Sequence, residues 1–258
     1  MNRRRRGPAL GPCPLAAAAL LALAACSPPA PAAAPTARPA APAASPGGGQ
    51  IVYAALGASE TAGIGTADPL RESFPQQLYA RLGPSAVLYS FGQPGETTEA
   101  ALRDELPGAL AVHPTLATVW FNVDDLVAGV TVADYEARLD QLVGGLRRAG
   151  VQKVLVANTP HLDHLPAYAA CRPDPPPGSP VCPLGALTLP PPDQIDALTQ
   201  AYNAAVTRVV QREGATLVDL SASGEVPDQH PEYVSADGFH PSARGAAAIA
   251  ATFAAAIG

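Results

Sequence analysis

Two short stretches, far apart in the sequence, hold side chains that could act together in nucleophilic chemistry. Ser59 follows the apolar run 51–56, which predicts a buried strand that ends at a glycine-bounded turn. In open α/β sheets this position lies at the carboxyl end of the strand, where ligands bind. Asp237 and His240 are three residues apart, so one loop can deliver a base and the carboxylate that orients it. We therefore predict a catalytic triad of Ser59 as nucleophile, His240 as base and Asp237.

Three motifs resemble sequence blocks of the SGNH/GDSL hydrolase superfamily. They are Gly-Ala-Ser-Glu-Thr at 57–61, Gly-Gln-Pro-Gly-Glu-Thr at 92–97 and Asp-Gly-Phe-His-Pro at 237–241. Members of this superfamily are esterases, lipases, acyl-thioesterases and carbohydrate O-deacetylases. The resemblance covers the whole domain and implies the same triad, with an oxyanion hole that includes the backbone amides of Ser59 and Gly95. The first motif lacks the second glycine of a G-x-S-x-G elbow, which points away from the α/β-hydrolase fold.

The remaining block departs from the family pattern Gly-x-Asn-Asp. It falls on residues 122–125, Asn-Val-Asp-Asp, so Asp124 stands where the family has its oxyanion-hole asparagine. An ionised carboxylate only accepts hydrogen bonds and would repel an oxyanion. Three arrangements stay open: Asp124 is protonated and donates, Asn122 turns inward to replace the amide, or the hole keeps only the Ser59 and Gly95 amides.

Alternating apolar runs and amphipathic segments predict the fold. Strands are expected at residues 51–56, 86–91, 116–121, 151–157 and 216–220. Helical patterns lie between them, and Pro241 is expected to open the last helix. Parallel strands need crossover connections, so we predict a three-layer α/β fold with a flavodoxin-like sheet of order 2-1-3-4-5 and helices on both faces.

The amino-terminal residues predict export. Four arginines precede an apolar run that ends just before Cys26, an arrangement that looks like a lipoprotein signal at residues 1–25 with Cys26 as the acylated residue. An ordinary secretory signal is the alternative. Residues 26–49 are rich in Ala and Pro and predict a tether without a packed core, so the domain spans residues 50–258. We expect a cell-envelope protein that is held at a membrane only by this lipid anchor.

Charge and cysteine content narrow the partners and the compartment. The net charge is −6, and without the four arginines of residues 1–25 there are 12 basic against 22 acidic residues, a net of −10. Such a surface argues against nucleic acid as a partner of the folded domain. Cys171 and Cys182 are left as a pair in an oxidising compartment, so we predict a disulfide.

The disulfide falls in a Pro-rich stretch, residues 159–192, which follows the fourth strand and is predicted to be one long irregular loop that forms a wall of the substrate cleft. His161, Asp163 and His164 in this stretch are interpreted as polar cleft residues rather than metal ligands. We expect no metal and no organic cofactor.

These observations favour a serine esterase. We predict a monomeric serine hydrolase that cleaves carboxylic esters, acyl or O-acetyl, on a small-molecule, glycan or lipid substrate through an acyl-enzyme. The alternative is a catalytically weakened binding lipoprotein of the same fold, suggested by Asp124.

Overall fold

Five parallel strands form the sheet of the described part of the chain, in the predicted order β2-β1-β3-β4-β5. The computed structural model describes residues 49–179, 181–182, 189–222 and 229–258. The predicted signal, Cys26 and nearly all of the tether lie outside these residues. The strands are β1 (Val52–Gly57), β2 (Val87–Ser90), β3 (Leu116–Trp120), β4 (Lys153–Ala157) and β5 (Thr216–Val218).

Helices connect the strands, as parallel pairing requires. The described helices are α1 (Ser59–Ala62), α2 (Pro69–Glu72), α3 (Phe74–Tyr79), α4 (Thr98–Asp104), α5 (Leu106–Ala111), α6 (Val123–Val127), α7 (Val132–Arg148), α8 (Pro166–Cys171), α9 (Pro192–Glu213) and α10 (Ala243–Ile257). Two 3₁₀ turns lie at Leu162–His164 and Pro231–Tyr233. None of the described helices is long and apolar enough to cross a bilayer.

The central strand β1 supplies side chains to two separate cores, because successive strand residues face opposite sides of the sheet. Ala54 and Leu56 belong to the core under α7 and α9, whereas Tyr53 and Ala55 belong to the core under α3 and α10. Apolar residues on both faces explain why the strands appear in the sequence as continuous hydrophobic runs.

Aromatic pairs join the helices of each layer. The rings of Tyr135 on α7 and Tyr202 on α9 have centroids 4.5 Å apart. On the other face, Phe74 of α3 stacks on Phe253 of α10 at 5.0 Å. Phe74 also contacts Trp120 of β3, with the ring centroids 5.6 Å apart, so the second pair holds α10 near the sheet, and with it the segment that precedes α10.

The expected start of the last helix was wrong by two residues. Pro241 forms a β-bridge with Val234 and does not belong to the helix. Helix α10 begins at Ala243, and Ser242 caps it, since the Ser242 hydroxyl accepts a hydrogen bond from the Gly245 amide at 3.2 Å.

The stretch 159–192 is more ordered than its prolines indicate. It contains a 3₁₀ turn and α8, so the prediction of a single irregular loop was wrong. Cys171 at the end of α8 is bonded to Cys182, and the Leu189 amide donates to the Cys171 carbonyl at 3.1 Å. These two links bring the chain back to α8 before α9 begins.

Candidate active site

Ser59 is the first residue of α1 and lies almost buried directly beyond β1. The turn between them is tight at Gly57, where a Cβ atom would lie 2.1 Å from Thr61 Oγ1 and 2.7 Å from the Trp120 carbonyl oxygen. Only glycine allows this approach of β1 to the end of β3. Close packing against Thr61 and Trp120 therefore explains why residue 57 is glycine.

Asp237 and His240 form a hydrogen-bonded pair in the segment before α10. The distance between His240 Nδ1 and Asp237 Oδ2 is 2.7 Å. The other carboxylate oxygen, Oδ1, accepts from the Ser235 hydroxyl at 2.7 Å and from the Phe239 and His240 amides at 2.8 and 3.0 Å. Partial burial alone would raise the pKa of Asp237, but these hydrogen bonds outweigh it and lower the pKa to about 2. The aspartate is thus ionised at neutral pH and holds the imidazole in place.

Ser59 and His240 line the same cavity, which has a volume of about 380 Å³ and is called the larger cavity below. The Ser59 hydroxyl does not hydrogen bond to His240; among the described residues it donates to Glu60 Oε2, at 3.2 Å. A Ser59–His240 hydrogen bond therefore requires the hydroxyl to leave Glu60. The structure thus places Ser59 and His240 at one cavity and pairs His240 with Asp237, but it does not join Ser59 to His240.

Ser59 and Gly95 both line this cavity, and the backbone amide of neither has an acceptor in the described residues. Gly95 has φ +80° and open space where a Cβ would be, a backbone conformation that glycine adopts without strain. Amides of this kind are suited to hydrogen bond with a developing oxyanion.

Asn122 does not enter the larger cavity. Its buried amide contacts Thr159 Oγ1 and the Tyr135 hydroxyl, the latter at 3.1 Å, so it faces β4 and α7. The expectation that it could turn inward assumed an extended segment from 122 to 124. The chain instead turns into α6 at Val123, and residues two apart on a helix do not share a face. Asp124 on α6 is the residue that lines the cavity.

Residues from the stretch 159–192 form part of the cavity wall. Leu162, Leu165 and Tyr168 contribute from the 3₁₀ turn and α8, and Leu189 contributes after the disulfide. The Tyr168 hydroxyl donates to the Pro190 carbonyl at 2.6 Å. The wall is therefore held by the same hydrogen bonds and disulfide that order this stretch.

A smaller cavity of about 90 Å³ adjoins the larger one. Both are lined by Phe239 and His240, and the smaller one is also lined by Trp120, His161 and Tyr233. The candidate base therefore lies between two spaces.

The ligand atoms of His161, Asp163 and His164 are spread over as much as 4.8 Å. Two ligands of a tetrahedral zinc ion lie about 3.4 Å apart, given metal–ligand distances of about 2.1 Å. His164 Nε2 and Asp163 Oδ2 are 3.5 Å apart, close to that spacing. The three groups are near enough to one another to hold a metal ion, so their interpretation as polar cleft residues stays a prediction.

Two carboxyl groups lie next to the turn at residues 57–59, called the nucleophile turn below. The sequence analysis assigned no role to either of them. Glu60 accepts the Ser59 hydrogen bond, and Glu105 lies fully buried below the turn, where its Oε2 accepts from the Gly57 amide at 3.0 Å. Burial raises the pKa of Glu105 to about 9, partly offset by that hydrogen bond. No local pattern identifies such a residue; the only signal is an acidic residue directly before an apolar segment.

The parallel sheet of order 2-1-3-4-5, with a serine and a His–Asp pair in one cavity at its edge, defines a class: the serine hydrolases that act on ester bonds. The model of the GDSL-like lipase/acylhydrolase family matches residues 55–248. The chain belongs to this family. A comparison with curated protein sequences gives no significant match.

Solved structures share the fold at low sequence identity. A lipase/acylhydrolase from Enterococcus faecalis is 20% identical, with a TM-score of 0.59 over 80% of this chain and 95% of that one. The psychrotrophic esterase EstA from Pseudoalteromonas sp. is 16% identical, with a TM-score of 0.57 over 80% and 96%. A mutant of Axe2, an acetyl-xylooligosaccharide esterase from Geobacillus, is 17% identical, with a TM-score of 0.57 over 82% and 95%.

Proposed function

We propose that the protein hydrolyses carboxylic esters, acyl or O-acetyl, through an acyl-enzyme on Ser59. His240 takes the Ser59 proton as Oγ attacks the ester carbonyl, and gives it to the alcohol that leaves. Water then attacks the acyl-enzyme, His240 takes a proton from it, and the acid and free serine are released. Asp237 orients the imidazole and stabilises its protonated form.

The observation that carries this proposal is the shared cavity. Ser59 and the ring of His240 line one space, and the ring is held from behind by an ionised Asp237 at 2.7 Å. The Ser59 and Gly95 amides at the same cavity are available to the oxyanion. Relatives of the same fold are described as a lipase/acylhydrolase, an esterase and an acetyl-xylooligosaccharide esterase, which supports both ester types.

The location belongs to the same proposal. The basic and apolar residues before Cys26 support export and acylation, so the esterase would act on the outer side of a membrane to which a lipid anchor attaches it. The Ala- and Pro-rich tether would allow it to reach esters at a distance from the surface.

Active-site labelling of the purified full chain tests the chemistry. We expect a fluorophosphonate probe to add to Ser59, together with turnover of p-nitrophenyl esters, and we expect Ser59→Ala to abolish both. Ser90→Ala is the matched control, because Ser90 also ends a parallel strand of the sheet but is exposed and lies outside both cavities.

A folded sample that is neither labelled nor active would contradict the esterase. It would favour the binding lipoprotein, which keeps the cavity but performs no acyl transfer. Labelling at a residue other than Ser59 would reject the assigned nucleophile and keep the reaction class.

A further inference from the structure

Asp124 lines the same cavity as the two residues whose amides are candidates for the oxyanion hole. It is the second residue of α6, directly after β3, and it lines the larger cavity together with Ser59 and Gly95. The neighbouring wall is apolar, with Val123, Leu126 and Val127 among its residues, and no Lys or Arg of the described chain lines this cavity. Of the described residues that line the cavity, only His240 can carry a positive charge.

We propose that Asp124 is a catalytic residue, whose protonated carboxyl donates its O–H hydrogen bond to the ester oxygen as negative charge develops on that oxygen. This inference rests on the proposed function. The proton stays on Asp124 throughout, so the proton transfers between Ser59, His240 and the substrate are the same as those given above. The carboxylic acid takes the part of an amide donor, and the hole then has three donors in place of two.

The surroundings keep Asp124 neutral up to a higher pH than an exposed aspartate. Burial is the main cause that raises the pKa of Asp124 to about 6, and the nearby charges of Glu60, Asp125 and Glu96 add to it. His240 acts in the opposite direction.

These four groups come from different parts of the site. Glu60 is on α1, Glu96 lies between β2 and α4, Asp125 is on α6 and His240 precedes α10. Asp125 is already engaged, since it accepts from the Thr98 amide and hydroxyl at 2.9 and 2.7 Å.

The proposal predicts an alkaline limb in the pH–rate profile. As pH rises through the pKa of Asp124, the donor becomes an acceptor that repels the oxyanion, so kcat falls. Removing one oxyanion-hole donor lowers kcat by about 10²–10³. The fall therefore approaches ten-fold per pH unit above about pH 6 and then levels.

The experiment compares kcat of the full chain and Asp124→Asn from pH 4.5 to 9, with a p-nitrophenyl ester corrected for background hydrolysis. The asparagine amide donates a hydrogen bond at every pH, so the kcat of this variant should not fall at alkaline pH. We expect the ratio of variant to wild-type kcat to be near one at about pH 5 and to rise to about 10² at about pH 8.5. Asp193→Asn is the control, because this exposed carboxyl at the start of α9 lines neither cavity; its profile should match the wild type.

A second measurement uses covalent labelling in place of turnover. The rate of fluorophosphonate labelling of the wild-type chain should show the same alkaline limb, because the phosphoryl oxygen takes the place of the ester oxygen. Two results would overturn the role of Asp124 and leave the esterase intact. One is an alkaline fall in the labelling rate that Asp124→Asn also shows. The other is a wild-type labelling rate that does not depend on pH above 6. Absence of both labelling and turnover at every pH overturns both.

Discussion

At the scale of single residues, the site differs in one respect from a completed triad. His240 and Asp237 are already paired at 2.7 Å, while the Ser59 hydroxyl is turned to Glu60 at 3.2 Å. The base is therefore organised before substrate binds, and the nucleophile must rotate. Most of the orientation of the imidazole comes from Asp237, whose Oδ1 is itself fixed by three donors.

Replacing Asp237 tests this division of roles. Asp237→Asn keeps the shape but removes the negative charge and disturbs the tautomer of His240, so we expect kcat to fall about 10³–10⁴-fold with a small change in KM. Steady-state kinetics on a short ester measure it. Asp193→Asn, at the start of α9, is the control and should be unaffected. A loss below about ten-fold would mean that Asp237 does not orient the base.

At the scale of elements, the nucleophile turn is supported from below by Glu105, in the turn between α4 and α5. Its Oε2 holds the Gly57 amide, and its Oε1 has no hydrogen-bond partner among the described residues. With a pKa of about 9, this carboxyl is neutral at pH 7. The end of β1 thus rests on a neutral acid, which adds no negative charge behind the oxyanion.

This raised pKa makes a prediction about stability. The folded state binds one more proton than the unfolded state between pH 4.5 and about 9, so the free energy of unfolding falls with rising pH across that window, by at most about 1.4 kcal/mol per unit. Glu105→Gln mimics the neutral acid and should remove this contribution. We expect it to be more stable than the wild type at pH 8 and similar to it at pH 4, as measured by urea unfolding.

Glu99→Gln is the control for that experiment. Glu99 is an exposed residue of the preceding helix, paired with Arg138, and such surface pairs contribute about 0–1 kcal/mol. A Glu105→Gln protein that is less stable than the wild type at every pH would show that the acid form makes contacts an amide cannot.

The strands and helices could largely be predicted from the sequence, whereas contacts between distant side chains could not. Buried strands and the faces of α7 and α9 follow from hydrophobic periodicity, and Ser59 and His240 follow from short motifs next to strand and helix ends. Asn122 was not predictable, since its direction depends on the exact residue at which β3 gives way to α6. Glu60 and Glu105 depend on which side chains meet in three dimensions, and no local pattern records that.

At the scale of the whole molecule, the walls of the larger cavity come from distant parts of the chain. Ile64 follows α1, Val127 ends α6, Tyr168 is on α8 and Ile195 is on α9. These residues surround a space of about 380 Å³ with few polar groups away from the reacting end. A space of this kind suits an unbranched acyl chain better than an acetyl group, because each buried methylene contributes about 0.8 kcal/mol.

The cavity therefore predicts a dependence on chain length. We expect kcat/KM to rise from acetate to hexanoate esters, by up to about four-fold per methylene. Val127→Phe narrows the cavity at a half-exposed position and should reduce the hexanoate rate while leaving acetate nearly unchanged. Leu70→Phe, at an exposed site away from the cavity, should change neither. A preference for acetate in the wild type would place the substrate among O-acetyl esters.

Ser59 lies directly after the first strand and His240 lies beyond the fifth, and this separation governs when the protein can react. During translation the hydroxyl emerges long before the imidazole, and the other four strands are made in between. A nascent or truncated chain that stops short of His240 thus holds a serine without its base. Hydrolytic power would appear only once the last part of the chain has been made and has folded against the first.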